Sequence, residues 1–261
     1  MVFVTVVSLA ALSACSGDKN QQISSIYEMK ANPNARNKAA IRRQLASPDR
    51  DVRATALNAL VTLGVPDGHD LARQGLDDPD GFVRATAAKL LGDRADEQDT
   101  DPLVARLAED RDPIVRKRAA EALEAIAAPA AVAGLARGLR DPIEDVRLAV
   151  VRGLRRLDPG YALAELSRLA IEDPSFEVRV QAVGALGETG SPEAWPVLEQ
   201  ALADENEFVR AATAHAQQVH ATAASRPPLV APVVTPSPAP LAPGSPTSEA
   251  APEPSAANAP R

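Results

Sequence analysis

The sequence predicts an all-α fold, an α/α superhelical solenoid of about six helix-pair repeats. Three observations carry this. The dipeptide Val-Arg stands at 52–53, 83–84, 115–116, 146–147, 178–179 and 209–210, so successive copies lie 31 or 32 residues apart. A fixed period of that size marks a stacked-repeat architecture, in which each unit buries its apolar face against its neighbours. Apolar residues follow the Val at offsets 4, 7 and 8, as Ala87, Leu90 and Leu91 follow Val83. Those offsets share one face of a helix. Aromatic residues are only 3% of the chain, and 11 of its 23 prolines fall between Arg226 and Arg261. This separates an Ala-, Leu- and Val-rich folded part from a tail with nothing to bury.

From the amino terminus, residues 1–14 read as a targeting segment. Val2 to Leu12 is an apolar run too short to span a bilayer as a helix. It ends in Leu12-Ser13-Ala14-Cys15, which resembles the lipobox of bacterial lipoproteins, although no Lys or Arg precedes the run. The resemblance implies that Cys15 carries a diacylglyceryl thioether and becomes the mature amino terminus. Ser16 after it then favours the outer membrane, facing the periplasm. Residues 15–33 form the lipidated Cys and a polar tether, in which Ile23, Ile26, Tyr27 and Met29 stand where they can cover the first repeat.

The repeats occupy residues 34–221. In each, the second helix begins at the Val-Arg pair, and a shorter first helix precedes it, carrying pairs such as Leu103 and Leu107 or Leu166 and Leu169. Breaks such as Gly64-Val65-Pro66-Asp67-Gly68 and Gly190-Ser191-Pro192 end one helix and reverse the chain. The last second helix has Thr213, Ala216 and Gln217 where others have Ala and Leu, and it adds His215, Gln218 and His220, as a terminal repeat with a polar outer face should. The two histidines are therefore expected on that surface. Residues 222–261 form a Pro-rich tail, expected to be disordered, that serves as a spacer.

Six residues before the Arg of five of the six pairs stands an Asp, with Ser47 in the first copy: Asp78 for Arg84, Asp110 for Arg116, Asp141 for Arg147, Asp173 for Arg179 and Asp204 for Arg210. Pro follows at 48, 79, 142 and 174. The Asp is placed to cap the second helix, with Pro near its first turn. The Asp, Pro and Val-Arg spacing resembles the HEAT family, in particular the short repeats of phycobilisome lyases. The resemblance implies that the Arg and Asp side chains pair along the array as a structural ladder.

Net charge is −7, which argues against nucleic acid as a main partner. The single Cys excludes an intrachain disulfide and a Cys-based metal cluster. Two enzyme types share the repeat. Deoxyhypusine hydroxylases of this family bind iron through His-Glu pairs, whereas here His69 precedes Asp70, and His215 and His220 precede Ala. Bilin lyases act on cytosolic antenna proteins that an exported chain would not meet. No catalytic, cofactor-binding or metal residue is therefore assigned, and the chain is expected not to be an enzyme.

Offsets 3, 6 and 10 after each Val point away from the core, onto the second-helix face that the HEAT resemblance implies is the concave side of the array. Arg118, Arg152, Arg155 and Arg156 concentrate there as a candidate basic patch, which Glu121 and Glu124 would reduce to a solvated face if they pair with it. No aromatic falls in this stripe, so a polar interaction with an acidic protein partner is expected. The function expected is a lipid-anchored envelope scaffold that binds proteins. The alternative is an assembly accessory of an envelope machine that binds a peptide or glycan.

Overall fold

The structure is a computed structural model, and it describes residues 18–224. Cys15, residues 1–14, expected to be a targeting segment, and residues 225–261 of the expected tail lie outside these, while residues 222–224, also expected in the tail, are helical. The described residues contain helices and no strand. A leading helix α1 (Lys19–Ala31) is followed by six helix pairs. These are α2 (Ala35–Arg43) with α3 (Arg50–Thr62), α4 (Gly68–Gly75) with α5 (Gly81–Arg94), and α6 (Thr100–Glu109) with α7 (Pro113–Ile126). They continue with α8 (Ala131–Arg137) and α9 (Glu144–Leu157), α10 (Leu163–Glu172) and α11 (Phe176–Thr189), and α12 (Trp195–Ala201) and α13 (Glu207–Ala224). No described helix is long and apolar enough to cross a membrane.

The repeated offsets place the core. Val52, Val83, Val115, Val146, Val178 and Val209 are all buried, as are the residues four, seven and eight positions on, from Ala56, Ala59 and Leu60 to Ala182, Ala185 and Leu186. Burying such side chains supplies the main drive for stacking, at about 25 cal/mol per Å² of apolar surface. After the last first helix Leu202 is exposed, and Ala201 is buried beside it.

Second helices of neighbouring repeats meet closely because small residues line the contact. A Cβ at Gly92 would stand 2.7 Å from Ala122 Cα, and one at Gly187 would stand 2.6 Å from the Ala216 carbonyl. Only glycine permits these approaches. Elsewhere helix ends use the left-handed region: Gly64 and Gly190 at φ 61° and 62°, but also Ala95 and Ala127 at 54° and 56°. The two alanines hold a conformation that costs a residue with a Cβ about 1–2 kcal/mol.

Residues 19–31, read as tether, fold as α1. Ile26 is fully buried against Ile41, Val52, Ala56 and Leu60, so this helix covers the open side of the first repeat. The far end is closed by α13. There His220 is buried, not on the surface as expected: its Nε2 donates to the Ser191 carbonyl at 2.8 Å, and its ring lies 5.4 Å from that of Trp195. His215 is exposed.

Candidate interaction face and the ladder beneath it

One repeated construction positions the whole array. Arg53, Arg84, Arg116, Arg147 and Arg179 each grip the Asp of the next repeat with Nε and Nη2: Asp78, Asp110, Asp141, Asp173 and Asp204. For Arg147 the two bonds to Asp173 are 2.7 and 2.8 Å. The remaining nitrogen, Nη1, donates back to the carbonyl six residues earlier, as Arg147 does to Asp141 O at 2.9 Å. A guanidinium presents a planar fork that fits both acceptors at once, which an ammonium cannot. Arg210 ends the series, and its Nη1 donates only to the carbonyls of Asp204 and Glu205.

The ladder Asp does not cap the second helix, as its position in sequence suggested. Its carboxylate accepts the N–H two residues on, as Asp78 accepts from Asp80 N at 2.8 Å, and thereby folds the turn. Where that residue has an oxygen-bearing side chain it takes the cap, as Asp80 accepts from Phe82 N and Asp112 from Ile114 N; Ile143 before α9 makes none. Pro113 alone among the second helices starts one as its first residue. The other prolines sit in the turn, because the ladder geometry leaves two residues between Asp and helix.

Burial alone would raise the pKa of Asp78, Asp110 and Asp204. The Arg bonds, the turn N–H and the surrounding guanidinium charges outweigh burial and hold all three below the ordinary carboxylate value. The same bonds raise Arg53, Arg84, Arg116 and Arg179.

On the outward face the four central arginines do not form an open basic patch. Arg118 pairs with Glu121 at 2.7 Å, and Arg152 lies 3.6 Å from Glu121 and 3.9 Å from Glu124. Arg155 bridges to Glu188 and also donates to Gln181 Oε1 at 3.0 Å, with its guanidinium lying over Gly184. Only Arg156 of the four is exposed with no pairing to a described residue. Ala149, assigned to the outward stripe, is buried, since so small a side chain lets its neighbours close over it.

The face also holds aromatic side chains that the offsets 3, 6 and 10 missed. One turn earlier on the same stripe is the residue just before each Val. There stand Phe82, Ile114 and Phe208, all exposed, with Phe208 stacked on Phe176 at 6.0 Å. Extending the stripe back by four residues would have found them. Tyr27 of α1 joins Phe82 beside Thr55, Asn58 and Thr86.

A family model described as HEAT repeats matches residues 38–124 and 132–217. The chain belongs to the HEAT-repeat family. Solved structures of similar fold include an engineered protein, at TM-score 0.53 and 20% identity, covering 72% of this chain and 97% of that one. A designed armadillo repeat protein in complex with the peptide (KR)4 superposes at TM-score 0.51 and 23% identity, over 69% of this chain and 98% of its own. Among curated proteins, deoxyhypusine hydroxylase of Rattus norvegicus is 32% identical over 154 residues, 57% of this chain and 51% of that protein. The Mus musculus enzyme of the same name is 31% identical over 170 residues, 62% of this chain and 56% of its own. This HEAT chain spans about half the length of the curated relatives it matches.

These relatives overturn the expectation that the chain is not an enzyme, since both are enzymes. The iron that such hydroxylases imply was tested against the side chains present. Among the described residues no three His, Cys, Asp or Glu side chains gather as a metal-binding group. His69 is held by Asp99, whose carboxylate lies 2.8 Å from Nε2 and also accepts from Arg73 Nε at 2.6 Å. A guanidinium in that place opposes a metal cation. The described residues do not fit that iron centre.

Proposed function

We propose that this HEAT solenoid is a docking scaffold, in which a protein partner lies along the outward stripe of the second helices. Lipid on Cys15 holds the chain to a bacterial envelope, at the outer membrane facing the periplasm. The observation that carries the docking reading is the stripe itself. It combines exposed Tyr27, Phe82 and Ile114 with a run of charged side chains, and no described element covers it. Repeat solenoids present such extended surfaces to partners. The lipobox resemblance at residues 12–15 supports the anchor. Capture from detergent-solubilised envelope tests docking: replacing Arg118, Arg152 and Arg156 by Glu should deplete the partner. Recovery of the same partners in the same amounts would move recognition off this stripe. Cys15→Ser should shift the protein from the membrane to the soluble fraction, and a mutant that still pellets after a high-salt wash would contradict the anchor.

A second, catalytic reading is favoured by the deoxyhypusine hydroxylase relatives. Its test is iron content of the purified chain together with hydroxylation of a deoxyhypusine-containing protein. Stoichiometric iron with turnover would establish it, and a metal-free, inactive chain would remove it.

A further inference from the structure

At the amino-terminal end of the second-helix face, α1, α3 and α5 enclose a groove of about 250 Å³. Tyr27 and Lys30 of α1 line one side, Phe82 and Thr86 of α5 the other, and Ala54, Thr55, Asn58 and Ala59 of α3 lie between them. Both rings are open to solvent, Tyr27 at 59% and Phe82 at 48%. Aromatic side chains this exposed on either side of a cleft floored by alanines leave room for an apolar side chain between them.

The polar groups of the groove identify the occupant. The Tyr27 hydroxyl, the Lys30 ammonium and the Asn58 carboxamide form no hydrogen bond or ion pair with any described residue. The Thr55 and Thr86 hydroxyls are spent on the carbonyls one turn back, Asp51 O at 2.7 Å and Phe82 O at 2.8 Å. The nearby charges are already matched. Lys19 pairs with Asp51, and Arg50 lies 3.7 Å from both Asp51 and Asp80 while its guanidinium stands 5.8 Å from the Phe82 ring centre. Arg50 thus steadies the ring without adding free charge. Lys30 is the uncompensated charge of the groove, and it calls for an anion. A carboxamide offers one donor edge and one acceptor edge, the pattern an extended peptide unit presents.

We propose that this groove receives an extended acidic segment of the docked partner. An Asp or Glu of the segment meets Lys30, its backbone pairs with Asn58, and the neighbouring aliphatic side chain enters between Tyr27 and Phe82. This rests on the docking reading above and assigns it an anchoring subsite and a chemistry.

The test is selection of a random heptapeptide library on phage against the full chain, with the enriched peptides measured by fluorescence polarisation. The expected peptides carry Asp or Glu beside Leu, Ile or Phe. Lys30→Glu and Phe82→Ala should each weaken them about tenfold, and binding should fall as salt rises. Selection on the Lys30→Glu chain should return Lys or Arg in place of the acid, a result that a merely misfolded variant would not give. Both residues are on the surface, and unchanged circular dichroism confirms the fold. Enriched peptides without an acid, or affinity unmoved by both substitutions, would overturn the groove. Peptides that respond instead to Arg152→Glu and Arg156→Glu would overturn the groove while keeping the docking reading. No enriched peptide together with no captured partner would remove both.

Discussion

Arg147→Met in the middle of the array isolates what one ladder rung contributes. Arg147 is 8% exposed and Asp173 3%. The guanidinium makes four hydrogen bonds: two to Asp173, and one each to Asp141 O at 2.9 Å and Pro142 O at 3.2 Å. Methionine keeps most of the stem volume and removes all four. The Asp173 carboxylate is then left with the Ser175 N–H at 3.0 Å and no guanidinium bonded to it, with only Arg179, which donates to the Asp173 carbonyl, as a nearby charge. Breaking a buried pair on one side costs about 3–5 kcal/mol, mostly as the uncompensated charge. In a folded part of this size that lowers the melting temperature by roughly 2–4 °C per kcal/mol. The companion variant removes both partners, Arg147→Met with Asp173→Leu, and should recover much of the loss, because no charge is left buried. Urea titrations followed by circular dichroism at 222 nm give the two values. A single-variant cost below about 1 kcal/mol, or a double variant no better than the single, would refute the reasoning.

Other consequences follow from the same geometry. The depressed carboxyls of Asp78, Asp110 and Asp204 contribute stability that is complete above the unfolded value near 3.9 and lost as pH falls through their folded values. Urea midpoints should therefore hold between pH 7 and about 5 and drop below about 4; a midpoint unchanged at pH 3 would contradict this. Gly187→Ala should destabilise by about 1–3 kcal/mol despite the better helix propensity of Ala, because its methyl would press on Ala216, and a raised melting temperature would count against that contact. Ala127→Gly should stabilise by about 1 kcal/mol by relieving the left-handed helix end, and a loss in a chemical melt would deny the strain.

Much of this was legible because stacking repeats the same demands every 31 or 32 residues. Val, the residues at offsets 4, 7 and 8, and the Arg and Asp of the ladder recur where the next unit requires them, so the period itself exposes the core and the pairs. What failed to show depends on single side chains. Whether Arg118, Arg152 and Arg155 are free is decided by Glu121, Glu124 and Glu188, each of which meets an Arg of another repeat, and sequence alone does not give such distances. His220 looked polar and terminal, yet Trp195 and a carbonyl 29 residues away bury it. Asp was read as a cap because cap and ladder positions lie two residues apart and both favour carboxylates. Phe82 was missed because the stripe was counted from the Val forward, and Tyr27, expected to cover the first repeat with Ile26, instead lies exposed beside it because α1 belongs to no repeat and its faces follow no repeated offset.

Site-specific photo-cross-linking in intact cells tests whether the second-helix stripe is where a partner docks. A benzophenone side chain is placed at exposed Asn58, Lys89 and Arg152 on second helices, and at exposed Gln74, Asp101 and Ala164 on first helices. Adducts of one common mass from the second-helix positions, with none from the first-helix positions, are the predicted result. Adducts from the first-helix positions alone, or from none of the six, would contradict docking on this face.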